Sequence, residues 1–101
     1  MEDIYVQELK QRMDQGENLI IIDVREPWEY EEFNIGAENV PLGQLPVAMM
    51  EWDEWKDREI IVHCKSGGRS AMAKALLTQQ GFSSVRNLLG GMMEWKATYG
   101  G

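Results

Sequence analysis

The stretch Ile60-Ile61-Val62-His63-Cys64-Lys65-Ser66-Gly67-Gly68-Arg69-Ser70 holds the chain's only cysteine and only histidine, followed by two glycines and two cations. A lone thiol at the end of an apolar run cannot form an internal disulfide, which suits a reducing compartment. It can be a nucleophile. A free thiol is only about 3% thiolate at pH 7. Helix N-termini and adjacent cations lower a thiol's pKa by a unit or more, which multiplies the reactive form several-fold.

The residues after Cys64 supply those conditions. Lys65, Ser66, Gly67, Gly68 and Arg69 read as a short loop, and Ser70 as the residue that opens a helix and caps its free N–H groups. Two glycines let the backbone curl so that successive N–H groups converge on an anion, the sulfur itself or a group attached to it. Lys65 and Arg69 are the nearest cations in sequence. An inert core thiol would need neither the glycines nor the charges. Cysteine phosphatases follow an HC-x5-R pattern; here only four residues separate Cys64 from Arg69, and the position where that pattern wants arginine is Ser70. The loop is one residue short for wrapping a tetrahedral phosphate, so its length favours a smaller group, such as one added sulfur atom. On a strand His63 points away from Cys64 and reads as structural. One cysteine beside one histidine does not make a tetrahedral metal set, and no metal or cofactor is expected.

The elements that would position this loop alternate. Residues 5–15 carry Val6, Leu9 and Met13 at helical spacing, with Gly16 as a stop. The branched run 18–24 suits a strand buried on both faces of a parallel sheet. Pro27 and the acids of 26–33 mark a helix N-terminus. A short strand is expected near 37–42, a helix over 43–56 weakened by Gly43 and Pro46, and a second buried strand over 59–64. Residues 70–81 are rich in good helix formers and end at Gly81. Residues 83–88 read as a last strand and 90–100 as a last helix. Strands alternating with helices mean an α/β class with a mainly parallel sheet. In such sheets sites lie at the carboxyl ends of strands, where Cys64 falls.

The whole chain has 101 residues, 44% of them hydrophobic, which allows one domain over 1–101 with a modest core. Its N-terminus lacks the basic and apolar regions of a signal peptide, and no run is long enough to cross a bilayer. A cytoplasmic protein without membrane partners is expected. The net charge of −7 excludes generic nucleic-acid binding. The charges are also segregated: residues 1–59 hold 16 acids against five bases, whereas residues 60–101 hold five bases against one acid, Glu94. The cysteine segment is therefore cationic within an anionic chain, a potential that attracts small anions or stabilises a thiolate.

Four segments in order resemble the rhodanese family of sulfurtransferases in its single-domain form. Residues 20–33 resemble that family's strand, Asp-x-Arg and acidic helix. Residues 34–42 are similar to its His-Ile-Pro-Gly-Ala-x-Asn-x-Pro segment, with Asn34 in the histidine position and one proline absent, which implies a shortened surface turn. Residues 62–70 resemble the active-site loop, and 85–98 the closing Leu-x-Gly-Gly-x-x-x-Trp. The resemblance implies a sheet of about five strands flanked by helices on both faces. It implies that Cys64 is the catalytic nucleophile and that Lys65, Ser66, Gly67, Gly68, Arg69 and Ser70 bind the substrate. Cys64 would take sulfur from thiosulfate or a persulfide, a small anionic donor, and hold it as a persulfide. With no second cysteine, the acceptor must be external: cyanide, a thiol or a protein. A non-enzymatic persulfide carrier or partner-docking module is the alternative from another class, and a phosphatase-like or arsenate-reducing enzyme is disfavoured by the loop length.

Other residues read as scaffold. Asp23 and Arg25 are expected to link strand ends, and Trp52 and Trp55 to share a helical face and pack in the core. Met49, Met50, Met92 and Met93 read as gap-filling core residues. Trp95 should pack the last helix on the sheet, with Gly90 and Gly91 allowing close backbone approach.

Overall fold

Ile20–Asp23 (β1) and Glu59–His63 (β3) form the centre of a four-stranded parallel sheet in the computed structural model, which describes residues 1–100. Gly101, the last position of the expected domain, lies outside the described residues. Glu38–Asn39 (β2) pairs with β1, and Ser84–Asn87 (β4) with β3, giving the order β2-β1-β3-β4. The register sets Asp23 beside His63 and Val62 beside Asn87. Four strands form rather than about five. At the fifth position a single parallel bridge joins Ile4 to Leu88, because the chain turns into the first helix at Val6, leaving one residue to pair.

Side chains alternate along a strand, so the isoleucine runs feed two cores. Ile22, Ile60 and Val62 face Leu45 of the short helix Leu45–Ala48 (α3) and Ala73 and Leu77 of Gly68–Gln79 (α4). Ile61 faces Val6 and Leu9 of Val6–Asp14 (α1) and Met92 and Trp95 of Gly91–Tyr99 (α5). The helices thus cover both faces, as an all-parallel sheet requires. Burying each large side chain, such as Leu9 or Leu77, contributes about 1.5–3 kcal/mol. Ion pairs bind α1 to the sheet. Arg86 of β4 meets Glu8 at 2.7 Å and Glu59 at 3.0 Å, and Arg12 also reaches Glu59.

The remaining helix, Pro27–Glu32 (α2), starts with proline in its first turn, and Glu26 and Glu29 form a reciprocal capping box. The continuous helix expected over 43–56 is instead α3 and three single turns of tighter helix, Leu42–Gln44, Met49–Glu51 and Asp53–Trp55. Pro46 fits only a first helical turn, and two tryptophans three apart must both turn inward. Trp52 is buried, Trp55 packs against the same core, and their rings lie 5.2 Å apart. Met49 and Met92 are core residues, but Met50 and Met93, their outward-facing neighbours, are exposed, against expectation. Among the described residues no helix is long and apolar enough to cross a membrane.

Candidate active site

Cys64 leaves the carboxyl end of β3 and turns toward the α3/α4 core, while His63 turns to the other face beside Asp23. The loop Lys65–Gly67 then joins α4. Gly67 is the residue that makes the turn. It sits before the first helical residue with φ of 113°, a left-handed conformation that costs glycine little and other residues more. This turn aims the Gly67 N–H at the Cys64 sulfur, 3.1 Å away. The helix therefore begins at Gly68, two residues earlier than the expected Ser70 start. Ser70 is not its cap. Its hydroxyl, fully buried, lies 3.4 Å from the Cys64 sulfur and 2.5 Å from the Asn87 amide oxygen.

Two effects compete at Cys64. Burial pushes the thiol up, because the charged form loses water. The Ser70 hydroxyl and the N–H groups of Ser70, Gly67 and Ser66 favour the thiolate and outweigh burial, so its pKa lies below the ordinary thiol value. Cys64 is only 1% exposed, so the charge on its sulfur is met by the Ser70 hydroxyl and by fixed amides of the loop and the positive end of α4 rather than by water.

The rest of the loop is held from three sides. Gly91 makes the first contact possible: a Cβ there would stand 2.5 Å from the Cys64 carbonyl and 2.7 Å from that of Lys65. The N–H groups of Met92 and Met93 donate to those two carbonyls at 3.0 and 2.9 Å. On the second side, Asn87 donates to the Gly67 carbonyl at 3.2 Å. On the third, Arg69 forms a bidentate pair with Glu29 of α2 at 2.7 and 2.9 Å. The Arg69 hydrogen bonds hold the Glu29 carboxyl down to about 2.

Of the expected site residues, Cys64, Ser66, Gly67 and Ser70 converge on the sulfur. Gly68 supplies the first residue of α4, and Lys65 projects outward, exposed. Arg69 is near enough for its charge to feel Cys64, but its hydrogen bonds go to Glu29. Glu29 and Asn87 carried no signal in sequence: they lie 40 and 20 residues from their loop partners. Asp23 and Arg25 form the expected strand-end link, buried, at 2.8 Å. His63 is fully buried with neither ring nitrogen hydrogen-bonded, and burial, aided by Arg25 and opposed by Asp23, lowers its pKa to about 4.

Beside the loop lies a cavity of about 240 Å³ lined by Trp28, Phe33, Lys65, Met92, Met93 and Lys96, among others. A larger one, about 400 Å³, lies at the opposite ends of the strands, by Asn18 and Arg58. Among the described residues no group of three or more His, Cys, Asp or Glu is placed to hold a metal ion.

A parallel α/β sheet with a cysteine cradled between strand and helix defines a class of thiol-bearing domain, and comparison gives its family. A profile of the rhodanese-like domain matches residues 5–98: the chain belongs to the rhodanese-like family. A protein of Allochromatium vinosum named sulfurtransferase is 39% identical over 88 residues, covering 86% of this chain and 80% of that one. A Bacillus subtilis protein bearing a sulfur-carrier name is 40% identical over 94 residues, or 92% of this chain, which spans half of that longer protein. The rhodanese-like domain from Anabaena superposes with a TM-score of 0.85 at 32% identity, covering 97% of this chain and 75% of that one. These similarities support a sulfur-transfer role.

Proposed function

We propose that the protein is a sulfurtransferase whose Cys64 accepts sulfane sulfur from thiosulfate or a persulfide and passes it to an external acceptor. The observation that carries this reading is the Gly67 N–H aimed at the Cys64 sulfur from the start of α4. In the first step the Cys64 thiolate attacks the outer sulfur of thiosulfate. An S–S bond forms, the donor's own S–S bond breaks, and sulfite leaves with that electron pair. Cys64 now carries a persulfide anion. In the second step cyanide attacks the outer sulfur, thiocyanate departs, and the electron pair of the broken bond restores the thiolate. A thiol or a protein could replace cyanide. This is covalent catalysis in two half-reactions.

The roles follow from position. Cys64 is the nucleophile. The amides of Ser66, Gly67 and Ser70 favour the sulfur's negative charge, as oxyanion-hole donors do. Gly68 lets α4 start without a side chain at the mouth, and Lys65 and Arg69 add positive potential. Donor and acceptor approach by the cavity at Lys65, whose Trp28 and Met93 are exposed. We place the reaction in the cytoplasm and in one domain, 1–101.

A second reading, a persulfide carrier that gives sulfur only to a dedicated protein, is favoured by the carrier-named relative and the exposed Trp28 and Met93. The test sets thiosulfate:cyanide turnover beside aryl phosphate hydrolysis. Thiocyanate production is expected, and Cys64→Ser should abolish it. Intact mass after thiosulfate should rise by about 32 Da, one sulfur atom. A mass gain without cyanide turnover selects the carrier. Turnover of only the phosphate ester, or unchanged activity in Cys64→Ser, overturns both.

A further inference from the structure

Ser70 Oγ stands between two acceptors, the Asn87 amide oxygen at 2.5 Å and the Cys64 sulfur at 3.4 Å, and a hydroxyl has one proton to give. The orientation of Asn87 is fixed from its other side. Its NH₂ donates to the Gly67 carbonyl, which also closes the first turn of α4 by accepting the Ala71 N–H at 3.0 Å. A carbonyl only accepts, so the Asn87 oxygen must be the atom that faces Ser70. Cys64, Ser70 and Asn87 are all buried, where an unmet acceptor is costly.

We propose that Asn87 is a positioning residue that competes with Cys64 for the single Ser70 proton, so that the hydroxyl bonds to the sulfur while the sulfur is charged and to Asn87 when it is not. With a neutral thiol, S–H donates to Ser70 and Ser70 donates to Asn87. Ionisation draws the hydroxyl to the sulfur and leaves the Asn87 oxygen without a donor. The next stage rests on the persulfide reading. Loading moves the charge to the outer sulfur, one bond further away, and the hydroxyl returns to Asn87. When the acceptor takes the outer sulfur, the S–S electron pair returns to Cys64 and the hydroxyl swings back to meet it. The charged groups around these atoms are Lys65, Arg69 with Glu29, and the Asp23–Arg25 pair near His63, with Asp3 and Lys74 behind Asn87. All are present in both hydroxyl positions, so none selects between them.

The test is a titration of the thiolate's ultraviolet absorbance in the wild type, Asn87→Ala, Ser70→Ala and the double variant. Ser70→Ala should raise the midpoint. Asn87→Ala frees the hydroxyl for the sulfur and should give about three- to tenfold more thiolate at a pH below the wild-type midpoint. In the Ser70→Ala background, where only the Gly67 brace is left to lose, Asn87→Ala should give no gain in thiolate. If Asn87 only braces the loop through Gly67, its loss slackens the amide aimed at the sulfur and raises the midpoint in both backgrounds, which overturns the proposal. Should Asn87→Ala fail to fold, the side-chain carbonyl resonance of Asn87 in isotopically labelled wild-type protein reads the same bond. It should move with the Cys64 titration and return when thiosulfate loads the sulfur. A resonance indifferent to the titration overturns the proposal. One that follows the titration while thiosulfate adds no mass overturns the persulfide reading and leaves the competition for the proton standing.

Discussion

Arg69 gives its guanidinium to Glu29 in two bonds of 2.7 and 2.9 Å, not to the sulfur five residues before it. The cation in the first turn of α4 is thereby an anchor, with its charge acting on Cys64 through space. Bidentate arginine–carboxylate pairs fix orientation as well as energy.

Glu29→Gln should release that anchor. With Arg69 partly exposed, we expect a loss of about 1–2 kcal/mol, read from the urea midpoint at neutral pH, and slower sulfur loading. The Glu29 carboxyl titrates near 2 in the fold against an ordinary 4.5. Its stabilisation is complete above 4.5 and is lost as pH falls toward 2. The variant should lack that part of the acid limb; an unchanged limb would mean the pair contributes no stability.

Gly91 tests whether backbone contact shapes the cradle. Its φ is 54°, and an added Cβ would collide with the Cys64 and Lys65 carbonyls. Gly91→Ala should cost more than about 2 kcal/mol and impair loading. Gly43→Ala, in open space without a positive φ, should change stability by less than about 0.5 kcal/mol. Equal effects in thermal melts would refute the contact.

His63 should set part of the pH dependence of folding. Its folded pKa is about 4 against an ordinary 6.5. Below 6.5 the unfolded chain takes up a proton that the folded one refuses, so stability falls from pH 6.5 to 4 and levels off below. The loss is about 3 kcal/mol. His63→Phe, which also removes two unpartnered ring nitrogens, should flatten this interval in denaturation series across pH.

Lys65 is exposed at the rim of the cavity. Lys65→Gln should raise KM for thiosulfate several-fold with little change in kcat, and weaken the salt dependence of kcat/KM. An unaltered KM would place the donor's approach elsewhere.

Sequence made the two central strands, their helices and the Cys64 loop legible, because branched apolar runs and glycines act over a few residues. It misplaced Ser70, since a serine near a helix start has the same appearance whether it caps the helix or turns inward. Glu29 and Asn87 were invisible for another reason: their partners are brought close only by sheet order. Met50 and Met93 show the same limit, because hydrophobic type alone does not say which neighbour of a pair turns outward. Residues 43–56 kept their helical tendency but broke into single turns, as packing two tryptophans outweighed a continuous hydrogen-bond ladder.

The Met92 and Met93 amides that grip the Cys64 and Lys65 carbonyls belong to α5, which packs on the opposite face of the sheet from α4. The peptide units beside the sulfur are therefore clamped from both layers of the fold at once. Loosening either layer slackens the same short piece of backbone, so damage to the seat of Trp95 reaches the thiol although the two residues never touch the same core.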